Sequence, residues 1–434
     1  MKLLFIQPPI EDFYTTPIRL YPLGLLYAAT VAQALGQEVK VIDCLAPLRK
    51  KQIPLPEEFS YLNEALNHPN FFKGYYRFGC SDESLLQRIT EYKPEVIAVS
   101  SQFTAYFHSV ARLARLVKTH FNAKVIVGGY HATAYPAEIK RRVPEIDDVL
   151  VGPAESALPA YLNGDRAAAP LDWRTLMPAH DLVSAELYKV GRKTYRSLTA
   201  SRGCPFHCKF CSIHSMFRGF QYRSPDSIIE EIKVLYSRDD TRVFNFEDDN
   251  LTCDSEWLTL FLRRIIDEPM FRDIELTATN GVCYSTLTPE SLHLMWEAGF
   301  RRLDLSYVTH NEQLRKMYRR PGGVTNFETV VKTAQEIGFF ITAYLIIGLP
   351  GQTYEEVKAT IDYLLDLDVL VGPSIFYIPP ASELYETLQL PEAVRQNWNL
   401  YRSSAFAVET RHLNRDQLLE LFLYTRERNL FKKG

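Results

Sequence analysis

Arg202-Gly203-Cys204-Pro205-Phe206-His207-Cys208-Lys209-Phe210-Cys211 is the stretch that decides how the rest of this 434-residue chain is read. Three cysteines fall within eight residues, at intervals of four and three, so their thiolates can converge from one loop. Thiolates are soft ligands, suited to zinc or to iron–sulfur clusters. A closed zinc site needs a fourth ligand, which His207 or His214 would have to supply, and structural zinc usually draws on two paired hairpins. No second Cys pair stands at suitable spacing. Three cysteines on a four-iron cluster instead leave one iron without a protein ligand, a vacancy that a substrate amine and carboxylate can chelate. The spacing thus points to Cys204, Cys208 and Cys211 as ligands of a 4Fe-4S cluster.

Working outward, strand-like apolar runs at 197–200, 243–246, 274–277, 303–307, 341–347 and 374–378 alternate with helical segments near 226–236, 255–267, 289–298, 326–337 and 354–366. Six such repeats predict a partial (β/α)6, TIM-like barrel with its active site at the C-terminal ends of the strands. Upstream, runs at 3–6, 38–42, 96–100, 124–127 and 149–151 are separated by helical periodicity at 22–35 and 108–120. Continuous apolar strands between helices predict a doubly wound, Rossmann-like parallel sheet, whose ligands sit beyond the carboxyl ends of the strands. The chain therefore reads as α/β: a Rossmann-like domain over 1–165, an aperiodic linker over 166–195, the barrel over 196–386 and a helical C-terminal region over 387–434. Residues 48–80, with Phe71-Phe72-Lys73-Gly74-Tyr75-Tyr76-Arg77-Phe78, fit neither period. They read as an insertion that covers a site or docks on the second domain, or as a packed surface excursion.

Composition narrows the function classes. With 49 basic and 52 acidic residues the net charge is −3, which leaves no broad electrostatic footprint for nucleic acid. No apolar run approaches the roughly 18 residues of a membrane span, and the N-terminus reads as a buried strand rather than a secretion signal. The expectation is a cytoplasmic protein. Seven cysteines, an odd number, argue against a disulfide framework; Cys44, Cys80, Cys253 and Cys283 read as small buried residues.

Cys-x3-Cys-x2-Cys after the first strand of a partial barrel, with Phe210 before the last Cys, resembles the radical S-adenosylmethionine (SAM) superfamily. Further segments carry the same resemblance. Phe244-Asn245-Phe246-Glu247-Asp248-Asp249-Asn250 is similar to the acidic strand end that binds the methionine amino group, and a carboxylate there suits an ammonium. Ile346-Ile347-Gly348-Leu349-Pro350-Gly351-Gln352-Thr353 resembles the turn beside the adenosyl group, with Thr353 placed to cap the next helix. Tyr377-Ile378-Pro379-Pro380 resembles the segment after the sixth strand. The resemblance implies Phe210, Glu247, Asp248, Asn280, Ser306, Ile346, Gly348 and Tyr377 as SAM contacts, and leaves Tyr307 and Tyr377 as candidate pocket walls. Two positions depart from the pattern. Ser306-Tyr307-Val308-Thr309 stands where a Glu-Ser pair is common, and Asn280 where a basic residue is frequent.

Tyr21-Pro22-Leu23-Gly24-Leu25 and Val127-Gly128-Gly129-Tyr130-His131 resemble the cobalamin-binding domain fused to many of these enzymes. Glycines after a strand let a bulky ligand lie on the backbone. The resemblance implies Gly24, Ser100, Gly128, Gly129, His131 and Glu155 as cobalamin contacts. The loop after the first strand, Pro8-Pro9-Ile10-Glu11-Asp12-Phe13, holds no histidine for cobalt.

Together these resemblances imply a 4Fe-4S cluster, S-adenosylmethionine and cobalamin. The implied reaction is reductive cleavage to a 5′-deoxyadenosyl radical, hydrogen abstraction and methylation of an unactivated carbon. They also imply a small-molecule or peptide substrate and a reducing partner such as flavodoxin or ferredoxin. Cyclisation, dehydration or rearrangement over a vestigial cobalamin domain is the alternative, and an iron–sulfur redox sensor or binding scaffold the alternative from another class.

Overall fold

The computed structural model describes residues 1–16, 21–165 and 167–431. Arg166, which opens the expected linker, and residues 432–434 of the C-terminal region lie outside them. Near the N-terminus, β1 (Lys2–Gln7), β2 (Glu38–Asp43), β3 (Val96–Ser100), β4 (Lys124–Gly128) and β5 (Asp148–Val149) pair in parallel in the order β2-β1-β3-β4-β5. Leu3 and Phe5 of β1 point to the face covered by α1 (Leu23–Ala34) and α4 (Ala154–Asn163). Leu4 and Ile6 point to the opposite face, under α2 (Asp82–Tyr92) and α3 (Phe107–His120). Burial on both faces is why the run is continuously apolar. The chain winds outward in both directions from β1 and β3, which makes their carboxyl ends a switch point where a crevice opens.

The barrel begins at β6 (Lys193–Leu198). A short hairpin, β7 (Ser201–Gly203) and β8 (Phe220–Tyr222), follows, then β9 (Thr241–Phe246), β10 (Glu275–Thr277), β11 (Arg302–Val308), β12 (Phe340–Ile347) and β13 (Leu370–Ile375). β6, β9 and β10 are parallel neighbours, as are β11, β12 and β13; parallel bridges Leu276–Phe300 and Val282–Leu305 join the two halves. Outside lie α5 (Pro225–Asp239), α6 (Ser255–Ile266), α7 (Pro289–Glu297), α8 (Val324–Ile337) and α9 (Tyr354–Asp366). The first strand starts at Lys193 instead of 197 because its polar residues hide it. Arg196 is fully buried, its charge paired with Asp239 at 2.9 Å. The last strand ends earlier than its apolar run, at Ile375.

The open edge of β13 is covered by side chains. Asn429 of α10 (Arg415–Phe431) accepts from the Val371 N–H at 3.1 Å and donates to its carbonyl at 2.8 Å, and the Ser403 hydroxyl accepts from Ile375 N–H. This is how an edge strand is kept from pairing with another chain. The 48–80 segment docks on this region. Phe59, Phe71, Phe72 and Tyr75 join the barrel core, and Phe71 and Phe72 pack against Phe422 at 6.0 and 5.5 Å. The aperiodic stretch before the barrel is anchored as well, with Trp173, His180 and Tyr188 buried. No helix among the described residues is long and apolar enough to cross a membrane.

Candidate active site

The hairpin β7–β8 holds the cysteine loop at its neck. Gly203 adopts φ +81°, and a Cβ there would lie 2.1 Å from the Gly219 carbonyl oxygen, so the loop closes only through glycine. Within it the Cys211 N–H bonds the Cys208 carbonyl at 3.0 Å. His214 Nε2 is engaged by the Phe206 carbonyl at 2.9 Å and its ring stacks on His207 at 4.4 Å. Among the described residues no three His, Cys, Asp or Glu side chains gather tightly enough for one metal ion. A zinc centre needs its donors on one point, whereas a four-iron cluster spreads its thiolates over separate irons.

The donors around the thiols suit such a cluster. Asn250 Nδ2 points to Cys204 Sγ at 3.6 Å and Arg320 to Cys208 Sγ at 4.0 Å, where N–H groups and a positive charge offset thiolate charge. Burial pushes all three thiols up, Cys211 to about 11, so cluster binding must displace their protons. Of the other cysteines, Cys44 and Cys283 are buried as expected, while Cys80 and Cys253 are half-buried.

At the end of β9, strand alternation separates the acids. Glu247 and Asp249 face a cavity between the barrel and the N-terminal sheet. Glu247 is held by the Ser197 hydroxyl at 3.0 Å and Asn245 Nδ2 at 2.8 Å. Asp248, expected to touch SAM, points the other way: 3% exposed, it accepts from the N–H groups of Ala200 and Ser201 and from the Ser201 hydroxyl. Burial pushes its pKa up to about 7. Asp249, two residues after Glu247, is the acid that shares its cavity side.

The remaining barrel residues lie outside the lining of that cavity. Asn280 Nδ2 bonds the Asp248 carbonyl at 3.5 Å, and the Ser306 carbonyl accepts from Arg320 at 2.6 Å. Arg320 brings a cation to the loop from a different element than the one on which a basic residue was expected. Val308 adopts φ +73° at a bulge in β11, a strained state for a β-branched residue. Gln352, 1% exposed, shapes the turn after β12: its Oε1 accepts from the Gly348 and Leu349 N–H groups, and its Nε2 donates to the Ile346 carbonyl. Thr353 caps α9 through the Glu356 N–H at 3.3 Å. Phe210 packs edge-on to Tyr318 at 5.8 Å, and Tyr377 is 40% exposed. Tyr307 is no pocket wall: it is fully buried against Tyr284 and Phe327, its hydroxyl on His310.

The cavity contains about 1380 Å³ of empty space, part of it open to solvent. Gly24, Ser100, Gly128, Gly129 and Glu155 all line it. A Cβ at Gly24 or at the neighbouring wall residue Gly152 would meet no protein atom within 4 Å, so these glycines leave room for a ligand. His131 does not line it. It is 1% exposed, bonded to Thr104 Oγ1 at 3.0 Å and packed on Phe107 and Trp398, and burial holds its pKa near 3, so it stays neutral.

Arg202 ties the two halves of the chain together. From the strand entering the cysteine loop it pairs with Glu155 at 2.9 Å and lies over Tyr27 and Trp173, 4.5 Å from each ring. A second bridge between the halves runs from the Tyr21 hydroxyl to His180 Nδ1 at 2.5 Å, then from His180 Nε2 to Glu231 at 2.9 Å, with Arg223 on the other Glu231 oxygen.

Residues 198–364 match the radical SAM superfamily and residues 15–162 the B12 binding domain. An uncharacterised methyltransferase of Pyrococcus horikoshii is 24% identical, covering 97% of this chain and 90% of its own length. The cytidylyl-2-hydroxyethylphosphonate methyltransferase of Streptomyces wedmorensis is 25% identical, covering 92% and 84%. The radical SAM methyltransferase TsrM from Kitasatospora setae, solved with cobalamin and a 4Fe-4S cluster, superposes with a TM-score of 0.64 at 16% identity, covering 88% of this chain and 74% of that one. At that identity the likeness speaks for the fold.

Proposed function

We propose, for a chain that carries a radical SAM domain behind a B12-binding domain, that it is a cobalamin-dependent radical enzyme which methylates an unactivated carbon of a small molecule. The observation that carries this reading is the shared wall of the cavity. Gly24, Gly128 and Gly129 come from the N-terminal domain, and Arg202, Glu247 and Asp249 from the barrel domain. Bound here, the cofactors would supply the reductive cleavage of SAM and the methyl group for a carbon centre.

The chain's own residues hold, orient and exclude water. Cys204, Cys208 and Cys211 bind the cluster, and the N–H donors of Asn250 and Arg320 favour its reduced form by offsetting charge on sulfur. Glu247 and Asp249 present carboxylates to the methionine ammonium. The backbone at Ile346 and Gly348, held by Gln352, offers a flat surface to adenine. Gly128 and Gly129 line the sheet's carboxyl edge, where a bulky planar cofactor would lie. Electrons come from a flavodoxin- or ferredoxin-type reductant.

The test is anaerobic reconstitution with iron, sulfide and cobalamin, followed by incubation with methyl-labelled SAM, reductant and candidate metabolite extracts. Retained cobalamin, 5′-deoxyadenosine and label in a new carbon–methyl product are expected. Absence of 5′-deoxyadenosine refutes the radical step; its presence without bound cobalamin refutes only the cobalamin step.

A further inference from the structure

Two thiols outside the cofactor regions meet at the base of the 45–79 excursion. Cys44 follows β2 and is 1% exposed; Cys80 precedes Ser81, whose hydroxyl caps α2 through the Ser84 N–H at 3.3 Å. The Cys80 N–H donates to the Cys44 carbonyl at 2.9 Å. A direct backbone bond of that kind brings the two Cα atoms within about 7 Å, the limit of what a disulfide spans. The two thiols also interact side chain to side chain.

Their surroundings differ in a way that assigns roles. Cys80 is half-buried at the positive end of an eleven-residue helix, with Arg88 and Arg77 supplying further positive charge. The bond from Cys44, with this charge, brings the Cys80 thiol down to about 7, while that bond and burial push Cys44 up. The accessible sulfur is therefore the readier of the two to ionise, and the sulfur behind it keeps its proton. This is the asymmetry of an attacking and a resolving thiol.

We propose that Cys80 and Cys44 form a redox-active dithiol whose reaction partners are low-molecular-weight disulfides. The Cys80 thiolate attacks one sulfur of the disulfide, forming a mixed disulfide and expelling one thiolate. Cys44 then loses its proton and its sulfur attacks Cys80 Sγ, closing the Cys44–Cys80 bond and expelling the second thiolate. Two protein thiols are oxidised, one disulfide is reduced to two thiols, and the protons from Cys80 and Cys44 end on the released thiols. The new bond ties off the excursion whose Phe59, Phe71, Phe72 and Tyr75 pack into the barrel core.

The test uses the cluster-loaded, full-length protein under anaerobic conditions, with glutathione disulfide as probe and differential alkylation read by peptide mapping. A Cys44–Cys80 disulfide is expected, formed about tenfold faster than any adduct on the half-buried Cys253. In Cys44→Ser the reaction stops at glutathione on Cys80, and in Cys80→Ser Cys44 stays unmodified. The proposal is overturned if the unsubstituted protein accumulates the mixed disulfide as the Cys44→Ser variant does. It is equally overturned if Cys253 reacts first.

Discussion

Replacing Gly203 with alanine tests the link between hairpin geometry and cluster binding, and Gly219→Ala is its built-in control. Both glycines have the same backbone state, φ +81° and +82°. Each substitution therefore carries the same left-handed strain, about 1–2 kcal/mol. The surroundings differ: a Cβ at Gly203 would sit 2.1 Å from the Gly219 oxygen and 3.2 Å from its carbonyl carbon, while one at Gly219 meets nothing within 4 Å. Relieving a backbone contact that short, to the 3.0–3.4 Å of a tight Cβ contact, requires β7 and β8 to part by about 1 Å. That loosens the rungs Ser201–Tyr222, Arg202–Gln221 and Gly203–Phe220. Overpacking of this kind adds roughly 1–3 kcal/mol, so Gly203→Ala should lose about 2–5 kcal/mol in total and Gly219→Ala only the strain. Urea unfolding followed by circular dichroism measures the difference, and iron per chain after anaerobic reconstitution measures the consequence, with a deficit expected only in Gly203→Ala. If both variants load iron fully and unfold within about 0.5 kcal/mol of each other, as additive surface changes do, the hairpin does not gate the cysteine loop as argued.

Glu231→Gln leaves the Arg223 guanidinium, its side chain 1% exposed, without its charge partner, and should lower urea stability by about 3–5 kcal/mol. Asp43 is held up near pKa 6 by burial, against bonds from Tyr188 and Leu45. Folding therefore favours its protonated form, so its contribution is fully present below about pH 4 and is lost as pH rises through 6. The loss amounts to at most about 3 kcal/mol, and Asp43→Asn should flatten that slope in melting temperatures measured across the interval. Gly24→Leu, which fills open space on the cavity wall, should weaken cobalamin binding about tenfold or more, roughly 1.4 kcal/mol, in equilibrium dialysis. His131→Asn, away from that wall, should leave cobalamin binding within about twofold, well under 1 kcal/mol, in the same assay; a larger loss would return His131 to the site.

What the order of residues determined by itself is local. The three cysteines share one loop, so their spacing alone predicts a common ligand. The continuous apolar runs at 3–6 and 96–100 announce a sheet covered on both faces, because each strand's two faces are written within a few neighbouring residues. What only the tertiary structure decided joins positions that no period connects. Arg202 meets Glu155 across the two halves, Arg320 reaches Cys208 from 112 residues away, and Asn429 covers the edge of β13. Asp248 and Glu247 look alike as text, yet one is consumed by the backbone of Ala200 and Ser201 while the other faces the cavity. His131 beside Gly129 looks like a ligand until Phe107 and Trp398, from distant segments, close around it. A pattern along the chain records which way a side chain can point; what waits there is set by the packing of other elements, and burial then decides whether the group serves a ligand or the fold.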